Sequence, residues 1–302
     1  MKHFSFLSFR VAAVAALLTG AQPLAAQDLL QELEKQTAAT PKAEYAEATF
    51  KSVRVMNGHS VETASKGTLH FLIGHRFGTL NSGAYEFFGL DNATIRLGLE
   101  YGFTRNLTIG IGRSSFQKTY DGFIKYRAIR QGKGPGTMPF TVTLLATSAI
   151  STQDVLFNGQ PEDLPTRGRV TYTYQALLAR KFSDGFSLQL MPTWVHRNLV
   201  QARRDENDVL AVGAAARQKI TKRLALTAEY YYLLPGQTDD DYRNSLAVGF
   251  DIETGGHVFQ LHLTNSQGMV EKFFVPQTTG NFFDGDIYFG FNISRAFTLG
   301  RH

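Results

Sequence analysis

The chain has 302 residues, a formal net charge of +5 and no cysteine. The absence of thiols excludes disulfides, thiolate catalysis, cysteine-ligated clusters and covalently attached c-type haem. Its basic residues are scattered among acidic ones without a lysine or arginine run, so the sequence does not predict a nucleic-acid surface.

The N-terminus has the parts of an export signal. Lys2 and Arg10 bracket a basic region, residues 11–18 form an apolar run, and Leu24-Ala25-Ala26 ends in the small residues of a cleavage site. The apolar run is well short of the roughly 20 residues that a membrane-spanning helix needs, which argues against an N-terminal anchor. We therefore predict a signal peptide over residues 1–26 that is cleaved after Ala26.

Residues 27–66 are predicted to form a short periplasmic arm. Residues 28–36 have a helical pattern with acidic residues in the first turn, and the dipeptide Asn57-Gly58 suits a two-residue hairpin turn. The arm is expected to tuck under or into the domain that follows, or to dock a periplasmic protein. A loosely ordered leader is the alternative, because termini are often untethered.

From residue 67 onward the chain is predicted to form twelve strands. In the clearest stretch, Asn92–Ser114, apolar and polar residues alternate with period two, which indicates strands and excludes an amphipathic helix. The strand that ends at Phe103 reaches the about 9–11 residues of a bilayer-spanning strand. The predicted strands are Thr68–Phe77, Ala93–Phe103, Leu107–Ser114, Thr119–Ile129, Pro139–Ala149, Arg169–Arg180, Phe186–His196, Val209–Lys219, Leu224–Leu233, Ser245–Glu253, His257–Asn265 and Asp286–Ala296.

The connections between these strands are mostly short and long in turn. Thr104–Asn106 and Thr221–Arg223 are short, whereas Ile150–Gly168 and Ser266–Gly285 are long. This parity is typical of outer-membrane barrels, which have short periplasmic turns, long external loops and an even number of strands. The sequence contains no apolar stretch long enough for a further membrane helix. It therefore predicts an all-β, antiparallel up-and-down transmembrane β-barrel over residues 67–302, embedded in outer-membrane lipid.

Charged residues at the inward positions of the strands are the candidate lumen-lining residues. They are Arg76, Arg96, Glu100, Asp121, Lys125, Arg127, Arg217, Glu229 and Asp251. Charged walls set pore selectivity, so this slightly basic lumen predicts a narrow channel for small polar or anionic solutes. The alternative is a closed barrel filled by mutually paired polar groups, since twelve strands lie near the size at which barrels begin to open.

Two other functions remain open at this stage. One is a non-conducting structural or adaptor barrel that docks a periplasmic partner through the arm. The other is a barrel acyl hydrolase, for which Ser148 and His196 are a poor pair, two strands apart. The histidines do not pair at zinc-ligand spacing, and the strand glycines lack the following helix of a dinucleotide site, so no metal or cofactor is predicted.

Short motifs in the first part of the predicted barrel are similar to a known family. They are His75-Arg76-Phe77-Gly78, Gly89-Leu90-Asp91, the segment Arg96–Gly102, Gly110-Ile111-Gly112-Arg113 and the segment Lys118–Tyr126. The chain resembles the exported membrane-bound β-barrel family of unknown function from Gram-negative bacteria. The resemblance implies an outer-membrane location and a barrel fold, but no reaction.

Overall fold

The computed structural model describes residues 28–33, 43–157, 160–162, 165–200 and 204–299. The predicted signal peptide and its cleavage site after Ala26 lie outside these residues. The chain forms two compact units, one of residues 1–44 with 134–136 and one of residues 45–133 with 137–302. In the first unit, residues 28–33 are helical, within the stretch for which the sequence predicted a helix.

The second unit contains a closed antiparallel barrel of twelve strands, which confirms the predicted fold class. Each strand pairs with its neighbours in sequence, and the last strand closes the barrel against the first. The strands are β1 (Thr68–Thr79), β2 (Ala93–Gly102), β3 (Leu107–Ser114), β4 (Thr119–Ile129), β5 (Thr141–Ser151), β6 (Val170–Lys181), β7 (Phe186–Arg197), β8 (Asp208–Lys219), β9 (Leu224–Leu233), β10 (Ser245–Thr254), β11 (His257–Thr264) and β12 (Tyr288–Thr298).

The alternation along each strand separates an outer apolar face from an inner face. In β7, Leu190 is 54% exposed on the outer face, whereas Gln189 is only 1% exposed inside. Two strands begin two residues later than predicted. Pro139 and Phe140 precede β5, where proline has no N–H to donate, and Ile287 precedes β12 because its carbonyl accepts from the Leu80 N–H of the first long loop.

Shorter elements lie in the connections. Two-residue strands occupy Glu44–Tyr45 and Gly132–Lys133, and the strands Val155–Phe157 and Gln160–Glu162 pair with each other beyond β5. The loop between β11 and β12 contains helix α1 (Glu271–Phe274). Among the described residues, no helix has the length and apolar character needed to cross a membrane.

The barrel is filled by a segment that precedes β1. Residues 49–65, called here the plug hairpin, are largely buried against the inner faces of the strands. Val55 N–H donates to Gly58 O over 2.8 Å and Ser60 N–H donates to Val53 O over 3.1 Å, so the corner of the hairpin is Met56-Asn57. The corner lies one residue before the predicted Asn57-Gly58, and Gly58 does not have a positive φ.

A second segment closes the lumen at the end where the long β11–β12 loop lies. Residues 266–280, called here the cap, belong to the long β11–β12 loop, and their Val270, Phe274 and Val275 are at most 1% exposed. The Asn265 side chain donates to Gly280 O over 2.8 Å and holds the two ends of the cap together. The cap and the plug hairpin thus belong to the same compact unit as the strands, which begins at residue 45, before the boundary predicted at residue 66.

Candidate functional site

The lumen is the candidate site, because all nine sequence-predicted charged residues lie on the inner face. Seven of them are buried, whereas Asp121 and Arg127 are half-buried. The structure brings these residues together around the plug hairpin. They do not line an open pore in this conformation.

Charged side chains of the wall bind the backbone of the plug hairpin. Lys125 Nζ on β4 donates to the carbonyls of Val53 (3.0 Å) and Glu62 (2.7 Å). The Glu229 carboxylate on β9 accepts from the N–H groups of Asn57 (3.3 Å) and Gly58 (3.0 Å). Hydrogen bonds to charged groups contribute about 1.5–3 kcal/mol each. These wall charges are therefore used to hold the plug.

Amide side chains of the wall satisfy further backbone groups of the plug hairpin. Gln189 on β7 donates to His59 O and accepts from the Val61 N–H, both over 2.8 Å. On the other side, Gln260 Nε2 donates to Val55 O and Asn292 Nδ2 donates to Met56 O. A short hairpin leaves many backbone groups without partners, and buried groups need them. Together with Lys125 and Glu229, the wall supplies these partners from five strands.

Arg54 of the plug hairpin joins all three parts of the lumen. Its Nε lies 3.6 Å from Glu100 Oε1 on β2, and its Nη1 lies 3.3 Å from Glu271 Oε1 in the cap. The three side chains are between 1% and 6% exposed. His59 Nε2 also lies 3.6 Å from Glu271 Oε1, and burial together with the charge of Arg54 lowers the pKa of His59 well below its ordinary value.

Other lumen charges pair within the wall or near its ends. Arg96 forms two hydrogen bonds to the Asp121 carboxylate, one of them from Nε to Oδ1 over 2.9 Å. Gly112 lies beside this pair, where a Cβ would overlap the Arg96 guanidinium. Arg217 Nε lies 3.9 Å from Asp251 Oδ2. Most of the predicted lumen charges thus have an opposite charge at hand.

One side of the lumen is apolar. Leu177, Met191 and Val195 on β6 and β7 are buried on the inner face, where they form one cluster with Phe50 and Val61 of the plug hairpin. A water-filled pore is expected to have a polar inner wall. The apolar inner strip therefore indicates a surface built to be covered by the plug hairpin.

The sequence did not predict the plug hairpin's contacts or the cap, but it contained a signal for them. Along β6 to β8 apolar residues occupy both faces: Leu177 and Met191 follow polar inward residues on β6 and β7, and Val209 is the first inward residue of β8. Such residues need an apolar partner inside the barrel. No comparable signal identified Glu271 of the cap, which the sequence placed in an external loop.

The alternative hydrolase pair is not assembled. Tyr172 pairs with Ser148 on one neighbouring strand and with His196 on the other. Ser148 and His196 therefore lie at the same level of the sheet, two strand spacings or about 10 Å apart. The His196 Nδ1 is instead 2.8 Å from Asp208 Oδ1. In the described part of the chain, no group of three or more potential ligands is arranged to hold a metal ion.

Comparisons with known proteins give one family model and several solved structures to which this chain is similar. A family model described as a membrane-bound β-barrel domain matches residues 50–297, which confirms the family resemblance of the sequence. Similar solved structures include the NanC porin (10% identity, TM-score 0.47, covering 76% of this chain and 100% of that one). An outer-membrane channel from Pseudomonas putida F1 has 12% identity and a TM-score of 0.42, covering 78% and 98%. No curated protein matches the sequence.

Proposed function

Because the chain belongs to the family of membrane-bound β-barrel domains, we propose that it is an outer-membrane channel for small polar or anionic solutes, which its own plug hairpin holds closed. The observation that carries this proposal is the route of the plug hairpin. Lys181 Nζ, near the β6–β7 turn, binds Glu47 O before the plug, and Gly67 N–H binds Gly102 O, near the β2–β3 turn, after it. Both ends of the hairpin therefore lie at the same end of the barrel.

Because of this topology, the lumen can open without either end of the chain passing through the barrel. A hairpin that enters and leaves through one end can withdraw as a unit while the twelve strands stay paired. The contacts that would break are hydrogen bonds, ion pairs and apolar contacts. Water and solute can replace the polar ones, whereas exposure of the apolar strip keeps the closed state favoured.

The wall that withdrawal would leave is slightly basic. Its cations are Arg76, Arg96, Lys125, Arg127 and Arg217, against the carboxylates Glu100, Asp121, Glu229 and Asp251. A small excess of positive charge in a narrow lumen favours anions over cations. The charged part of the wall is thus the proposed path of the solute.

Planar-bilayer recording tests the channel. In one variant, residues 50–61 are replaced by a glycine–serine linker of equal length, and heat-modifiable gel migration verifies that the barrel has folded. We expect rare conductance steps from the unmodified chain and frequent, anion-selective steps from the variant. A folded variant that remains silent would refute the channel.

A non-conducting adaptor is the second candidate, because the lumen of this structure is filled. We propose for this case that the predicted arm docks a periplasmic protein through its first part, residues 27–42, in which Leu29 and Leu30 are 66% and 59% exposed. Deleting residues 28–41 should abolish capture of that protein in a pull-down. Unchanged capture would contradict docking through this segment.

The proposal includes export to the outer membrane. We propose that residues 1–26 are removed after Ala26, so the mass and N-terminal sequence of protein purified from outer membranes should start at Gln27. A retained N-terminus would contradict this cleavage. We assign no reaction to the barrel, since Ser148 and His196 are not within reach of each other.

A further inference from the structure

A small cavity remains between the plug hairpin, the wall and the cap. Its volume is about 30 Å³, and its lining comes from all three parts, including Met56, Leu72 and Met269. Three arginines, Arg54, Arg76 and Arg96, contribute to this lining, and no carboxylate does. The charged side chains that line the cavity are therefore all basic.

Two of these arginines have carboxylate partners outside the cavity. Arg96 binds Asp121, and Arg54 lies near Glu100 and Glu271. These pairs explain why two buried guanidinium groups are tolerated, because a buried charge is stable only when it is paired and hydrogen-bonded.

Arg76 is different. Its side chain is 0% exposed, and it donates to three neutral oxygens, His75 O (2.8 Å), Asn292 Oδ1 (3.2 Å) and Asn57 Oδ1 (2.9 Å). Among the described residues, its Nε has no acceptor and no carboxylate oxygen lies within 4.0 Å of its nitrogens. Arg76 is thus a fully buried cation without a counter-charge in direct contact.

The carboxylates around the lumen do not supply this counter-charge. Glu229 acts on Arg76 only through space, and its oxygens accept from the plug N–H groups of Asn57 and Gly58. In the cap, the Glu271 carboxyl group lies against Arg54 and His59, and not against Arg76. Among the described residues, Arg76 therefore has no carboxylate in direct contact.

We propose that the cavity holds one small monovalent anion of halide size, bound by Arg76 of β1, with Arg54 of the plug hairpin and Arg96 of β2 beside it. A cavity of about 30 Å³ accommodates one or two particles of the size of water. A halide therefore fits this volume better than the larger sulfate or phosphate ion does. Gln260 and Asn292 line the same cavity and provide neutral amide groups.

Binding of the anion is coupled to the plug hairpin. Ser52, Arg54, Met56 and Asn57 form part of the lining, so the site exists only when the plug is in place. A ligand that binds only one state stabilises that state by RT ln(1 + L/Kd), where L is the ligand concentration, so the stabilisation increases with L. Bound halide thus keeps the plug hairpin in the lumen and should reduce conduction. The effect on conduction rests on the proposed channel function, whereas the binding of halide does not.

Diffraction with bromide locates the anion directly. Crystals of the full chain in detergent, grown in sodium bromide, are measured at the bromine absorption edge. We expect one anomalous peak within hydrogen-bond distance of Arg76. Density for water alone, with the plug hairpin in place, would overturn the proposal.

A solution measurement tests the same site without crystals. The chain contains no cysteine, so a Ser60→Cys variant reports release of the plug hairpin through its rate of maleimide labelling. Bromide should slow labelling with a saturable dependence, whereas sulfate at equal ionic strength should not. Arg76→Gln should lose this bromide dependence, and Arg217→Gln, which removes a buried lumen charge outside the cavity, should retain it.

The outcomes separate the anion site from the channel. Bromide dependence that is unchanged in Arg76→Gln, or equal protection by sulfate, would refute the anion site. A silent bilayer recording from a folded, unplugged variant would refute the channel and leave both bromide measurements as they are.

Discussion

Replacing Arg54 with glutamine is predicted to release the plug hairpin. The substitution removes the cation that lies between Glu100 of the wall and Glu271 of the cap, which are 1% and 2% exposed. Neither Glu100 oxygen has a hydrogen-bond donor among the described residues. Two buried carboxylates would then remain without their direct partner, and withdrawal of the plug hairpin would allow water to reach them.

The magnitude follows from the burial of the pair. Removing one partner of a buried ion pair costs about 3–5 kcal/mol. Since about 1.4 kcal/mol corresponds to a factor of ten, the ratio of plugged to unplugged chains should fall roughly 10²- to 10⁴-fold. Arg127→Gln is the matched control, because Arg127 pairs with Glu62 of the same hairpin at 3.7 Å, but their side chains are 13% and 22% exposed. We expect a smaller loss there, closer to the about 1 kcal/mol of solvent-exposed pairs, because water reaches this pair and its N–O distance is long.

The assay is cysteine labelling on the Ser60→Cys background. Ser60 is 0% exposed, so its replacement reacts with maleimide only when the plug hairpin leaves. With fast opening and closing, the labelling rate is proportional to the unplugged fraction. Heat-modifiable migration of each variant verifies that the twelve-stranded barrel remains folded while the plug hairpin moves.

The comparison between the two arginines decides the argument. Arg54→Gln should accelerate labelling by at least about 100-fold and Arg127→Gln by less than about tenfold, from the energies above. Equal acceleration would mean that burial of the pair does not control the plug. Unchanged labelling in Arg54→Gln would mean that Arg54 does not hold the three parts together.

Two further predictions use the same approach. Gly58→Ala should accelerate labelling on the Ser60→Cys background, because its Cβ would overlap the Tyr231 hydroxyl. Adding Tyr231→Phe should slow the labelling again in part. An unchanged labelling rate on adding Tyr231→Phe would place the clash elsewhere. Burial lowers the pKa of Lys272 in the cap to about 8, below its ordinary value of 10.5, so the folded state binds fewer protons and the docked cap should gain stability as pH rises between these values. Labelling of a Val275→Cys variant should slow over this window relative to the same variant with Lys272→Gln, and an identical pH dependence in both would contradict it.

The strands of the barrel were predictable because each residue faces either lipid or lumen. This alternation is local, so Thr119–Ile129 and Leu224–Leu233 are strands with the bounds that the sequence predicts. The ends of β5 and β12 were less predictable, because they depend on hydrogen bonds to a distant loop and on a proline. Local pattern therefore predicts the wall well and its rim less well.

The contents of the lumen depend on contacts between residues far apart in sequence. Val61 binds Gln189 and Asn57 binds Glu229, over separations of 128 and 172 residues. The sequence of the plug hairpin has no periodicity that would predict these contacts. The contacts are made by its backbone, whose hydrogen-bonding groups are the same for every residue type except proline. The inward charges were predictable as a set, but their role in holding a plug hairpin was not.

The glycines of the inner wall make room for segments that are not part of the wall. Gly74 lies against Met269 of the cap, and Gly98 and Gly112 lie against Arg96, so larger residues would occupy the space that the cap and the arginine use. The wall is thus shaped to hold a separate segment in addition to its own side chains. Because Lys125 and Glu229 bind that segment and would face solute once it leaves, one set of residues is expected to control both closure and selectivity. A substitution at either position should then change the ion preference together with the labelling rate on the Ser60→Cys background, whereas a change in one alone would show that closure and selectivity use separate residues.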